Sequence, residues 1–167
     1  MKSLLAVLIL AAPLTAIADS NPDSSFYKNA AEAGISEVDA GNLAQEKGNS
    51  QAVKDFGAMM VKDHSAANDK LKGIAATKNI SLPTSASIGQ MATKTKLEIL
   101  SGDTFDKSYI KSQIKAHHDT IVLLKKEIAS GQDADAKAFA TTTLPVVQAH
   151  MKKIKSIAAD AGIPAKS

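Results

Sequence analysis

The tightest constraint on how this chain can fold is the apolar spacing between Ala52 and Ile74. Val53, Phe56, Met60, His64, Ala67, Leu71 and Ile74 recur at intervals of three and four, which lines them up along one side of an α-helix. The pattern predicts a core-facing helix with a histidine in its buried stripe. Burying an unpaired imidazole is costly, so His64 must find a hydrogen-bond partner or a metal.

Three further stretches carry the same periodicity. Asp23-Ser24-Ser25 offers an N-cap for a helix running to about Lys47, with Phe26, Ala30, Ala33, Glu37, Ala40/Gly41 and Ala44 along one stripe. Gly48-Asn49-Ser50 ends it and caps the next helix at once, so the two run antiparallel, the second ending near Asn79. Ile80 to Ser87, around Pro83, reads as a loop, and Ile88 to Leu100 as a short extra helix or crossover. A helix from Gly102 carries Ile110, Ile114, His117, Ile121, Leu124 and Ile128 to a stop at Ser130-Gly131. Asp133 caps the last, with Phe139, Thr143, Val146, His150, Ile154 and Ile157, ending at Gly162-Ile163-Pro164. Pro145 removes a backbone donor and is expected to kink or break that helix near Thr141 to Thr143. Four long helices, two tight hairpins and one long middle connection predict an all-α, ferritin-like four-helix bundle with a short extra helix in the connection. The hairpins also echo each other, since Gly48 and Gly131 are each followed eight residues later by Phe56 and Phe139.

Lys2, the apolar run Leu4 to Ala12 and the small residues of Ala16-Ile17-Ala18 are expected to form a signal peptide over residues 1–18. Residues 19–167 then form one domain, exported to the periplasm. The apolar run is well short of the roughly 20 residues that span a bilayer, so stable membrane insertion is not expected. With no cysteine, the chain has no disulfide, thiolate site, iron–sulfur cluster or lipobox. Net charge is +3, every one of the 20 basic side chains is Lys, and aromatics are 4% of the chain with no Trp. Nucleic-acid readers lean on Arg forks and aromatic stacking, and neither is available here. Lys152, Lys153 and Lys155 read as a solvated helix face that could make at most weak contact with envelope anions.

The candidate chemistry lies in the polar members of the four stripes. Glu37, His64, His117 and His150 fall near mid-helix, one per helix, and converge on the middle of an Ala-rich core. Neutral imidazoles with a carboxylate suit Zn²⁺, Fe²⁺ or Mn²⁺, with copper a lesser option suggested by Met60 one turn before His64. Asp63, Asp119, His118 and Met60 are the candidates to stand behind the ligands, His118 being read as surface or supporting. The alternative is a metal-free envelope structural or interaction module, in which Glu37 accepts hydrogen bonds from the imidazoles. The same residue types serve both, so both stay open. A dinuclear oxidase is disfavoured because Val61, Ile114 and Val147 stand where Glu-x-x-His motifs need glutamate. Haem is disfavoured by scarce aromatics and the absence of Arg for its propionates. No G-x-S-x-G or Gly-rich phosphate loop supports an enzyme.

The run Ala31-Glu32-Ala33-Gly34-Ile35-Ser36-Glu37-Val38, then Val53-Lys54-Asp55-Phe56 and Met60-Val61-Lys62-Asp63-His64-Ser65, resembles the family called domain of unknown function 4142. Tyr109 with His117, Lys137-Ala138-Phe139-Ala140 and Leu144-Pro145 before His150 continue the likeness. The resemblance implies a ferritin-like bundle in the cell envelope, often labelled an outer membrane protein, with Glu37, Asp63, His64, His117, Pro145 and His150 in the family pattern. It implies no activity. Together these readings predict an exported bundle binding a transition metal in its core, with a role in metal handling or envelope stress.

Overall fold

The described residues form five helices: α1 (Ser24–Lys47), α2 (Gln51–Thr77), α3 (Ile88–Glu98), α4 (Gly102–Ser130) and α5 (Ala134–Asp160). The structure is a computed structural model that describes residues 21–164; the expected leader over residues 1–18 lies outside them. Among the described residues there is no strand, and no helix is long and apolar enough to cross a membrane.

Local chemistry sets the helix ends. Ser50 accepts the N–H of Val53 at the start of α2, and Asp133 accepts those of Asp135 and Ala136 at the start of α5. Ser87 and Gln90 form a capping box on α3. Asp23 departs from the expected capping role. Its carboxylate accepts the backbone N–H groups of Gln132 and Asp133 in the α4–α5 turn, at 2.8 and 2.5 Å. Asp106 mirrors it from α4, accepting the N–H groups of Asn49 and Ser50 in the α1–α2 turn at 2.8 Å each. Each hairpin therefore lends one carboxylate to the other's turn, where two adjacent donors would otherwise go unpaired.

These clamps also fix the topology. The start of α1 lies beside the α4–α5 turn, and the α1–α2 turn beside the start of α4, so α1 and α5 run one way while α2 and α4 run the other. The α2–α4 connection must return along the bundle, and α3 lies within it against α1 and α4. Leu97 is the one buried side chain of α3, and Lys94 ties the helix to Asp39 at 3.2 Å.

Two apolar clusters fill the bundle. One gathers Val53, Phe56, Met60, Phe105, Tyr109, Ile110, Ile114 and Ile154; the other Phe26, Tyr27, Leu71, Leu124, Phe139 and Val147. Three expectations need correcting here. Along α1 the buried residues are Ala31 and Gly34 rather than Ala30 and Ala33, because α1 turns its glycines toward α2. Gly41 and Gly57 face each other so closely that a Cβ on either would come within 2.7 Å of the other's carbonyl oxygen. On α5, Val147 is buried and Val146 exposed. Finally, Pro145 breaks nothing, and α5 runs through it from Ala134 to Asp160. Pro145 and Thr141, whose carbonyl loses its donor, both stand on the exposed face, where solvent can satisfy that oxygen.

Candidate metal centre

Between the two apolar clusters the core turns polar. His64 of α2, His117 of α4 and His150 of α5 are all buried, and their ring centroids form a near-equilateral triangle with sides of 5.9, 5.5 and 5.6 Å. One ring nitrogen from each lies within 4.8 Å of those of the other two.

Hydrogen bonds on the outer sides of the rings decide what the inner nitrogens can do. His117 Nδ1 lies 2.9 Å from the Gln113 carbonyl, which only accepts, so Nδ1 carries the proton and Nε2 a lone pair. His150 Nε2 lies 3.0 Å from Asp63 Oδ2 and by the same logic donates to that carboxylate, leaving Nδ1 bare. His117 Nε2, His150 Nδ1 and His64 Nε2 are buried without any hydrogen-bond partner. Three unpartnered ring nitrogens in one layer, two of them acceptors by their outer contacts, are a large departure from the rule that buried polar atoms are paired.

Burial also keeps the rings neutral. It takes His64 down to about 3, with His117 and His150 adding to the effect, and His117 down to about 4 against the pull of the Gln113 carbonyl. His150 is lowered by burial too, with Asp63 opposing. Neutral imidazoles are the form that binds metal. Tetrahedral coordination at 2.0–2.1 Å would place the nitrogens about 3.4 Å apart, closer than the present span of up to 4.8 Å.

Glu37 of α1 occupies the same polar layer but does not join the three nitrogens as an equal. Its Oε1 lies 3.9 Å from His117 Nδ1, the ring nitrogen bound to Gln113, and Oε2 is buried without a partner. Burial pushes its carboxyl up to about 7, while Gln113 and His150 pull the other way. The expected set of four is thus three converging imidazoles with a carboxyl group beside one of them. Asp63 stands behind His150. Asp119 does not stand behind any of the three: it is exposed and pairs with Lys115 at 2.5 Å, with His118 beside it at 3.5 Å. His118 is likewise a surface residue. Met60 is fully buried in the apolar cluster next to Phe56 and Ile114.

Two residues come to stand beside the site without having been assigned to it from the sequence, although Tyr109 belongs to the family pattern. Gln113 contributes a carbonyl, a group every residue has, and no pattern marks it as the one His117 would use. Tyr109 is fully buried with its hydroxyl unpartnered, and burial together with nearby Glu37 raises its pKa. A Tyr at the i−8 position from His117 is a signal that helical spacing could have supplied.

No curated protein matches the sequence. Among solved structures, the chain is similar in fold to the DUF305 fragment from Deinococcus radiodurans, with a TM-score of 0.75 at 7% identity, covering 85% of this chain and 98% of that one. It is similar to the same extent, TM-score 0.75, to a candidate secreted DUF305 protein from Streptomyces coelicolor, at 13% identity over 90% of this chain and 98% of that one. At such identities the likeness is one of fold. The sequence itself matches the family described as Domain of unknown function (DUF4142) over residues 11–157, and the chain belongs to that family.

Proposed function

We propose that this protein is an exported bundle that holds a transition-metal ion in its core through His64, His117 and His150, and serves metal handling or envelope stress. One observation carries the reading: three neutral, buried ring nitrogens face one another with no partner. Two supports stand behind it. The Asp63 and Gln113 contacts fix two ring orientations in the way that metal-ligating histidines are fixed. Two hairpins joined by one long crossover are also the connectivity of ferritin-like bundles, which build metal sites from side chains on facing helices. Three imidazoles suit Zn²⁺ or Fe²⁺ best. Export rests on the Lys2, Leu4 to Ala12 and Ala16-Ile17-Ala18 pattern, in line with the description of the Streptomyces coelicolor neighbour.

The metal-free reading asks Glu37 to accept hydrogen bonds from the imidazoles. At 3.9 Å, its approach to His117 is outside hydrogen-bond range. Metal analysis of untagged protein separates the two. We expect about one metal ion per chain, as in a three-histidine site, lost in a His64→Ala, His150→Ala variant. Protein that purifies without metal, and whose melting is indifferent to added Zn²⁺, Fe²⁺, Mn²⁺ or Cu²⁺, overturns the proposal.

A further inference from the structure

The three unpartnered nitrogens of the histidine layer are closed off from water, so an ion reaches them only where a ring can move aside. The groups that stand behind the rings differ in this respect. Gln113, whose carbonyl holds His117, is 2% exposed, and Glu37 beside the same ring is 3% exposed. Asp63 is the exception: its side chain is 33% exposed while Oδ2 holds His150 Nε2 at 3.0 Å. Among the described residues it pairs with no lysine, so its charge is free to attract a cation.

Asp63 also stands where the bundle is least tightly closed. It lies on the seam between α2 and α5, the least closely packed neighbours among the four long helices. Among the described residues two side-chain hydrogen bonds cross that seam, Asp63 with His150 and Lys70 Nζ with Thr142 Oγ1 at 3.1 Å. Ala66 and Val146 come between them at helical spacing, and both are exposed. The ring of His150 is therefore the one whose outer nitrogen is held by a group that water, and an ion in water, can touch.

We propose that a divalent metal ion enters the histidine layer through the α2–α5 seam, where Asp63 captures it and in doing so releases His150 to admit it. A cation drawn to the carboxylate competes for it with His150 Nε2–H, and once that hydrogen bond lets go the imidazole can swing its Nδ1 toward the ion. The ring keeps its proton on Nε2 throughout, and only the Nδ1 lone pair takes the metal. The inference rests on the metal reading of the layer and adds the route by which the site fills.

Stopped-flow mixing of the metal-stripped full chain with Co²⁺, followed through the visible absorption of the imidazole-bound ion, separates capture from orientation. In Asp63→Asn the side-chain oxygen can still accept from His150 Nε2–H, but the charge is gone. The association rate should fall about tenfold and lose most of its dependence on salt. An unchanged association rate with faster release would mean that Asp63 only orients the ring, and would overturn the proposal. Val146→Phe, an exposed change that narrows the seam, should slow uptake and release alike and leave the dissociation constant as it was, because a passage crossed in both directions cannot move an equilibrium. Val122→Phe, exposed on α4 away from the seam, should change neither rate. Uptake indifferent to Val146→Phe, or slowed as much by Val122→Phe, would overturn the route and leave the metal site standing. Failure of the native chain to bind Co²⁺ at all would overturn the metal reading and the route together.

Discussion

An imidazole withdrawn from water gives up its proton readily, and that cost is visible in how the histidine layer should respond to acid. The values for His64 and His117, about 3 and about 4, lie below the unfolded value of 6.5. Their contribution to stability is therefore complete above pH 6.5 and is lost as pH falls through 4. Glu37 works in the opposite sense, since a carboxyl raised to about 7 from 4.5 favours the folded state below 4.5 and ceases to as pH rises through 7. To isolate the histidine term, melting of the metal-stripped chain can be compared with that of His64→Gln between pH 7 and 4. The gap should shift against the native chain as pH falls; a gap that stays constant across the range would show that His64 is not titrating from a buried, neutral state. The histidine layer was legible as residue types at helical spacing. Which nitrogen of His117 and of His150 is left without a partner was not, because that depends on the Gln113 carbonyl and Asp63, which only folding brings into place.

At the level of the elements, the α1–α2 pair is set by backbone approach. Gly57→Ala would place a Cβ 2.6 Å from the Gly41 carbonyl oxygen. Overpacking of this kind costs about 1–3 kcal/mol, which outweighs the gain of about 1 kcal/mol from replacing a helical glycine. Urea denaturation should therefore show a less stable variant, and an unchanged or higher midpoint would mean that the helices can part without loss. Pro145 offers the opposite test. Its ring is exposed within α5 and its missing donor is uncompensated by packing, so Pro145→Ala should stabilise the chain by up to about 3 kcal/mol. A drop in the denaturation midpoint would mean that the proline shapes α5 in a way the bundle needs. The glycines explain the one-residue error along α1: apolar spacing has no means of weighing a glycine that packs by having no side chain, so Ala30 and Ala33 stand in for Ala31 and Gly34.

Across the whole molecule, a polar layer separates two apolar clusters, and the two hairpins hold each other's turns through Asp23 and Asp106. A ligand that joins α2, α4 and α5 at that layer ties both hairpins together. If a metal binds only the folded chain, raising it to a hundred times its dissociation constant should add about 2.7 kcal/mol of stability, read as a rise in melting temperature that chelator reverses. A melting temperature unmoved by metal and chelator alike would mean that the layer is held by packing alone.

Helix number, the antiparallel hairpins and the long crossover all follow from the order of apolar stripes and capping residues, since those depend on neighbours within a few positions along the chain. So does the presence of a histidine or glutamate in the buried stripe of each long helix near mid-length. What tertiary structure alone decided is how those groups meet. Convergence of three imidazoles with Glu37 to one side, the surface position of Asp119 and His118, and the cross-clamping carboxylates depend on helix rotation and spacing. Those are set by contacts between residues far apart in sequence, which local periodicity does not encode.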